Sequence, residues 1–98
     1  MNSPSTCIRR DKDLVTREIA GETIIVPIRG HVGDLDSIYT LNQVGTFIWH
    51  HLESGSSLRR LVNAVAAEYD VDSGEAEKDV ADFLGSLEAA GLIEQRQA

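Results

Sequence analysis

The side chains best suited to catalysis or metal binding in this chain are one cysteine, three histidines and a set of carboxylates. Cys7 is the only cysteine, which excludes an internal disulfide and a zinc site built on paired thiolates. His50 and His51 are adjacent on a predicted helix, where successive side chains diverge by about 100°, so they cannot chelate one ion together. His31 lies in a glycine-flanked loop without a run of carboxylates at the alternating positions of a calcium loop. The sequence therefore predicts no metal and no other cofactor.

No known catalytic motif is recognisable among the remaining polar residues. The sequence has no phosphate-binding glycine loop, no serine elbow and no paired Cys-His arrangement. The third predicted helix carries the carboxylates Glu75, Glu77, Asp79 and Asp82, and acidic residues near a helix N-terminus interact favourably with the helix dipole. If that helix borders a groove, Asp79 and Asp82 would also select the basic segments of a partner.

Length and charge limit the classes of function. The chain has 98 residues and a formal net charge of −7, from sixteen acidic and nine basic side chains. That length supports one domain with a single modest core, which disfavours a large enclosed active site. The negative charge repels a phosphate backbone, so no nucleic-acid partner is expected. No apolar run approaches the roughly 20 residues of a membrane span and no signal peptide is recognisable, so we expect a cytoplasmic protein without a membrane partner.

The apolar pattern predicts an α+β domain in which a three-stranded antiparallel sheet is followed by three helices. Residues 1–13 are polar and show no period, so they are predicted to be a flexible N-terminal arm, and residues 14–98 to form the domain. The segments "LVTREIA" and "TIIVPI" alternate as two strands joined by a tight turn at "AGE". The segment "SIYTL" gives the third strand.

Each predicted helix has start or stop signals and an apolar stripe. Asn42 is the expected N-cap of the first helix, Ser56 or Ser57 of the second and Asp72 of the third, while glycines at positions 55 and 91 end the first and third. The three stripes are Val44, Phe47, Ile48 and Leu52; Leu58, Leu61, Val62, Val65 and Tyr69; and Ala76, Val80, Phe83, Leu84 and Leu87. Trp49 is interpreted as a partly buried packing residue. Three helices in succession also fit a winged helix-turn-helix.

The third predicted strand, residues 37–41, runs directly into the first helix and has an unprotected edge. Proteins usually protect an edge strand with lysine, proline or a bulge, and residues 37–41 contain neither lysine nor proline. The edge is therefore predicted to be open for pairing. Because side chains alternate along a strand, only one of two sets can face a neighbouring groove, namely Ile38 with Thr40 or Ser37 with Tyr39. Leu41 is expected in the core, which favours Tyr39 pointing with it, and the sequence does not decide which set faces the groove.

Residues 38–93 resemble the PqqD family in the order and spacing of several short motifs. In chain order these are Leu41-Asn42, Ile48-Trp49, Gly55-Ser56, Tyr69-Asp70-Val71, Asp79-Val80 with Phe83-Leu84 and Leu87, and Gly91-Leu92-Ile93. The resemblance implies a winged-helix-like recognition element for ribosomally made, post-translationally modified peptides. The leader of a precursor peptide would add a strand to the third strand and lie beside the third helix. By the same resemblance the protein is not an enzyme, and it presents the precursor to a separate one, often a radical S-adenosylmethionine (SAM) enzyme.

The candidate peptide-binding residues combine the third strand with one side of the third helix. They are Ser37, Ile38, Tyr39, Thr40, Lys78, Asp79, Asp82, Phe83 and Ser86. Phe83 also belongs to the apolar stripe and is expected mainly in the core.

Two other functions stay open at this point. A winged-helix DNA-binding regulator fits the order of the helices, but a recognition helix needs basic or amide side chains, and the third helix offers Lys78 among several carboxylates. A self-associating scaffold would close its own edge strand against a second copy. The expected oligomeric state is a monomer or a weak homodimer.

Overall fold

The computed structural model describes residues 5–29, 32–33, 38–53 and 55–97. Within these residues the strands and helices, in chain order, are β1 (Ser5–Arg9), β2 (Leu14–Ile19), β3 (Glu22–Arg29), β4 (Val32–Gly33), β5 (Tyr39–Leu41), α1 (Gln43–His51), β6 (Ser56–Ser57), α2 (Leu58–Tyr69), α3 (Ser73–Ala89) and β7 (Ile93–Gln97). A short 3-10 helix, Asp11–Asp13, joins β1 to β2. The α+β class with three helices is confirmed.

The three helices begin at the residues whose side chains can cap them. The side-chain oxygen of Asn42 accepts a hydrogen bond from the backbone N–H of Gly45 at 2.8 Å. Ser57 accepts from the N–H of Arg60 at 3.2 Å, and the Asp72 carboxylate accepts from the N–H of Gly74 at 3.0 Å. Each bond satisfies a donor that the first turn of a helix leaves without an intrahelical partner, so the helix starts are set locally.

The hairpin of β2 and β3 carries β5 on its far side. The turn at Ala20 and Gly21 has positive φ at both residues, which matches the right-handed twist of the flanking strands. β3 pairs with β2 from Glu22 to Pro27 and with β5 from Thr23 to Ile25. Since the same residues of β3 pair with both strands, β2 and β5 lie on opposite sides of it. β3 continues past Pro27 and pairs with β4.

A second sheet, in the order β6-β1-β7, joins the two ends of the described chain. β1 pairs antiparallel with β7, from Ser5 opposite Gln97 to Arg9 opposite Ile93. The prediction of a loose arm is therefore wrong from residue 5 onward. Cys7 is buried at 3% exposure, and the guanidinium of Arg9 lies 4.7 Å from the centroid of the Trp49 ring. These contacts hold β1 against the domain.

The core lies between the helices and the inner faces of both sheets. Its buried residues include Ile25, Leu41, Ile48, Trp49, Leu52, Leu61, Val62, Val65, Val80, Leu84, Leu87, Leu92 and Ile93. Trp49 is 2% exposed and so more deeply buried than predicted. Three residues of the predicted stripes are instead more than a third exposed, namely Val44, Leu58 and Tyr69. None of the helices in the described ranges is long and apolar enough to cross a membrane.

Candidate functional site

β5 is an edge strand in the part of the chain that the structure describes. It pairs with β3 through Tyr39, Thr40 and Leu41, and no other described strand pairs with it. The terminal strands β1 and β7 pair with each other in the second sheet. Neither of them covers the open side of β5, which is the arrangement predicted from the sequence.

Alternate residues of β5 face opposite sides of the sheet. Leu41 is buried at 6% exposure, and Tyr39 is half-buried and packs against the core. Thr40 is exposed, and Ile38, just before the strand, is 47% exposed. Tyr39 therefore points with Leu41 toward the helices, as the predicted burial of Leu41 requires, and Ile38 and Thr40 point away.

A groove of about 300 Å³ begins where β5 ends, and we call it the α1–α3 groove. It is lined by Asn42, Val44, Gly45, Ile48, Val65, Tyr69, Val71, Ala76, Asp79, Val80 and Phe83. Buried aliphatic side chains such as Val65 and Val80 form its floor. Val44 and Val71 stand at its sides with 37% and 38% of their surfaces exposed. The groove is thus largely apolar, with Asp79 as a charged group on its wall.

Phe83 connects this groove to β5. A Cβ atom placed on Gly45 would lie 3.2 Å from Cβ of Leu41 and 3.2 Å from Cε1 of Phe83. The absence of a side chain at Gly45 therefore lets the Phe83 ring approach the first turn of α1 and the end of β5. Phe83 is half-buried, packs against the core and lines the groove, so it belongs to both.

The candidate residues predicted from the sequence divide into four groups. Tyr39 and Thr40 lie on β5, and Ile38 lies just before it. Asp79 and Phe83 line the α1–α3 groove. Lys78, Asp82 and Ser86 are exposed on α3 but outside the groove lining, and the Ser86 hydroxyl donates to the Asp82 carbonyl at 3.1 Å. Ser37 lies outside the described residues, as do His31 and the neighbouring aspartates at positions 34 and 36.

Several residues of the groove were not among the sequence candidates. The sequence pattern places Val44 and Tyr69 in apolar helix stripes, and it predicts no role in binding for Gly45 or Val71. One signal was present in the sequence, because Val71 is an apolar residue in the loop between α2 and α3 and belongs to no helical stripe. A single exposed apolar residue is common on protein surfaces, so this signal alone does not identify a binding surface.

The described residues can be compared with the expectations about metal binding and thiol reactivity. They contain no group of three or more His, Cys, Asp or Glu side chains that could hold a metal ion. Burial, together with the negative charge of Glu88, raises the pKa of the Cys7 thiol. The thiolate that a nucleophile or soft metal ligand requires is therefore disfavoured at Cys7.

A larger cavity of about 700 Å³ lies elsewhere, between the second sheet, α2 and α3. Its lining mixes apolar residues such as Val62 and Leu84 with polar ones such as Arg59 and Glu77, and it includes no residue of β5 or α1. β5 combines an open strand edge with a nearby groove that is lined mainly by apolar residues, whereas the lining of the larger cavity mixes apolar and polar residues. That combination is the one suited to an extended peptide, whose backbone pairs with the edge while its side chains enter the groove.

Comparisons with known proteins agree with this geometry. The family model of coenzyme PQQ synthesis protein D (PqqD) matches residues 22–93. A solved structure described as TbiB1 in complex with the TbiA(beta) leader peptide is similar to this chain, with 32% sequence identity and a TM-score of 0.76. The similarity covers 89% of this chain and 94% of TbiB1. No curated protein matches the chain. The family model spans well over half of the sequence and includes β3, β5 and all three helices, so this chain belongs to the PqqD family.

Proposed function

We propose that this protein binds the leader of a ribosomal precursor peptide and presents it to a separate modifying enzyme, a radical SAM enzyme. The leader adds a strand to the open edge of β5 and places apolar side chains in the α1–α3 groove. The protein itself does no chemistry and acts in the cytoplasm. The observation that carries this proposal is the open edge of β5 next to an apolar groove.

The energetics require both parts of the site. A net backbone hydrogen bond contributes about 1 kcal/mol, and β5 is three residues long, so the edge supplies only a few kcal/mol. A dissociation constant of 1 μM corresponds to about 8 kcal/mol. The remainder, and the cost of ordering a flexible peptide, must be met by apolar burial in the groove, at about 25 cal/mol per Å².

The relatives support a leader as the ligand. Members of the PqqD family, to which this chain belongs, are expected to recognise precursor peptides, and TbiB1 was solved with a leader peptide bound. The sequence identity of 32% and the coverage of nearly the whole chain make a shared ligand class a reasonable inference. A DNA-binding role is disfavoured because the exposed side of α3 carries Glu75, Glu77 and Asp82.

Specific residues have distinct roles in this proposal. The backbone of Tyr39 and Thr40 pairs with the leader, with Ile38 and Ser37 extending the pairing. The side chain of Phe83 contacts apolar leader residues. The carboxylates of Asp79 and Asp82 attract basic leader residues, while Lys78 and Ser86 lie farther out on the same helix.

Strand addition can be tested with a set of chemically modified leaders. The probe is a synthetic leader, taken from the short precursor that this proposal expects among the neighbouring genes, together with variants that each carry one N-methylated peptide bond. In an added strand, alternate N–H groups point toward β5 and the others point to solvent. Methylation should therefore weaken binding at every second position across the paired segment. The dissociation constants are measured by isothermal titration calorimetry.

Two outcomes of this titration would count against the proposal. A leader that binds as a helix would lose affinity at consecutive positions or at none, and either result would refute strand addition. A leader that does not bind at high micromolar concentration would refute the proposed function as a whole. A scrambled leader of the same composition controls for nonspecific attraction to the acidic protein. Amide resonances of Tyr39 to Leu41 and of α3 should shift on titration with the true leader.

A further inference from the structure

The side of the β2–β3–β5 sheet that points away from the helices is unusually apolar. We call it the outer face, and strand register assigns to it Val15, Arg17, Ile19, Glu22, Ile24, Val26, Ile28 and Thr40. The residues that alternate with them on β3, Thr23 and Ile25, are buried at 1% and 0% exposure. An antiparallel sheet with one face in water normally places polar residues on that face.

The outer face instead exposes several aliphatic side chains. Val15 is 43% exposed, Ile19 is 61% exposed and Ile28 is 37% exposed. Ile38 is 47% exposed and lies two residues before Thr40, so the alternation of the strand places it on the same side. β2 is exposed from Val15 to Ile19, which means that no described element covers it. Exposed aliphatic side chains grouped on one face in this way often mark an interaction site.

The dimensions of the outer face restrict what can bind there. Three strands spaced about 4.8 Å apart and about six residues long cover on the order of 300 Å². A stable protein–protein interface usually buries about 800 Å² on each partner. The outer face alone is therefore too small for a stable complex. A partner must also contact a neighbouring surface.

The leader would supply that neighbouring surface. Strand addition to β5, which is the proposed function and on which this inference rests, extends the same sheet by one strand. Because side chains alternate, every second leader residue would then join the outer face beside Thr40. A protein that docks here would contact β2, β3, β5 and the leader together. The enzyme that modifies the peptide is the partner that needs such a contact.

Size and charge argue against a second copy of this chain as the partner. Arg17 lies in the middle of the outer face, opposite Ile24, and Glu22 lies at its hairpin end. An isologous dimer formed through this face alone would bury only about 300 Å² on each chain, well below the usual value of about 800 Å², and would join two chains of net charge −7. We propose that the outer face docks the modifying enzyme through an apolar patch with a carboxylate that pairs with Arg17, and that the bound leader strengthens this docking.

The test measures enzyme binding and leader binding separately. The probe is the modifying enzyme that the proposed function expects among the neighbouring genes, a radical SAM enzyme, immobilised for biolayer interferometry, with and without saturating leader. The wild-type complex with leader should bind at least tenfold more tightly than the free protein. The double variant Val15→Ser/Ile19→Ser should lose at least tenfold in enzyme affinity and keep the leader affinity of the wild type. Arg17→Glu should also lose enzyme affinity, and Arg17→Lys should keep most of it.

The possible failures can be distinguished. Normal leader binding together with unchanged enzyme affinity in the Val15→Ser/Ile19→Ser variant would overturn this inference and leave the proposed function intact. A wild-type mass that doubles in solution, and returns to a monomer in that variant, would assign the outer face to a second copy and also overturn it. A wild-type protein that binds no leader would overturn both proposals.

Discussion

The contribution of the α1–α3 groove to leader binding can be isolated by changing two valines. Val44 and Val71 line the groove and are exposed at 37% and 38%. We consider the double variant Val44→Ser/Val71→Ser. Serine has a helix propensity similar to that of valine, so the change at Val44 should not disturb α1. Val71 lies in the loop between α2 and α3. Substitutions at exposed positions usually change the free energy of unfolding by less than about 0.5 kcal/mol.

The expected loss of affinity follows from the exposed fraction. Complete burial of a valine side chain contributes about 1.5 to 2 kcal/mol, so the exposed third of each valine is available for about 0.6 kcal/mol on leader binding. Two valines together give about 1.2 kcal/mol, which is roughly an eightfold increase in the dissociation constant. Burying two serine hydroxyls without partners would add to the loss. Eightfold is therefore the loss expected if the leader covers the exposed third of both valines completely.

The assay is a calorimetric titration of the leader into each variant, with thermal unfolding as the check on stability. The matched control is Val15→Ser/Ile19→Ser, which makes the same type of change on the outer face, where the side chains are 43% and 61% exposed. The control should change the leader dissociation constant by less than twofold. An unchanged constant in the groove variant, or an equal loss in the control, would show that the groove does not contact the leader.

Two further predictions concern the stability of the fold. A Cβ atom added at Gly85 or at Gly91 would have no other atom within 4 Å, so neither alanine substitution would cause a steric clash. Gly85 lies inside α3, where alanine has the higher helix propensity. Gly85→Ala should therefore raise the melting temperature by about 4 to 8 °C. Gly91→Ala should lower the melting temperature by a similar amount, because φ at Gly91 is +79° and this left-handed conformation costs alanine about 1 kcal/mol. If calorimetry shows that both variants shift the melting temperature equally and in the same direction, this reasoning is wrong. Burial raises the pKa of the Cys7 thiol above its ordinary value of 9.0, so the folded state favours the neutral form and the free energy of unfolding should fall as the pH rises above 9. Chemical denaturation above pH 9 should show a smaller decrease in the free energy of unfolding for Cys7→Ala than for the wild type. If the free energy of unfolding depends on pH equally in both proteins, the raised pKa of Cys7 does not cause the decrease.

The local features of the fold could be predicted from the sequence because their causes are local. Asn42, Ser57 and Asp72 cap the helices through bonds to residues two or three positions away. The hairpin follows from a two-residue turn between alternating segments. The open edge of β5 was also predictable, since it depends on the lack of lysine and proline in a short strand that runs directly into a helix.

The pairing of β1 with β7 could not be predicted in the same way. It joins residues from opposite ends of the chain, and neither segment has a long alternating pattern that identifies its partner. The groove residues were missed for a related reason. Periodicity assigns Val44 to the apolar stripe of α1 and Tyr69 to that of α2. It cannot show that these two side chains stay partly exposed at the ends of their stripes. Only the packing of α1, α2 and α3 leaves those two side chains at a groove.

The sheet that contains β5 has a second edge at β2. Two physical differences between these edges favour β5 as the strand to which the leader adds. A peptide added to β2 would gain the same backbone hydrogen bonds, but β2 is exposed on both faces from Val15 to Ile19, so no described groove receives the peptide side chains. It also carries charged residues, Arg17 and Glu18, which discourage pairing at an edge. Because backbone pairing alone contributes only a few kcal/mol, an edge without a groove cannot hold a flexible peptide at micromolar concentration. Under the proposed function, the α1–α3 groove therefore favours β5 as the strand that pairs with the leader, and the outer face of β2 stays available to a folded partner.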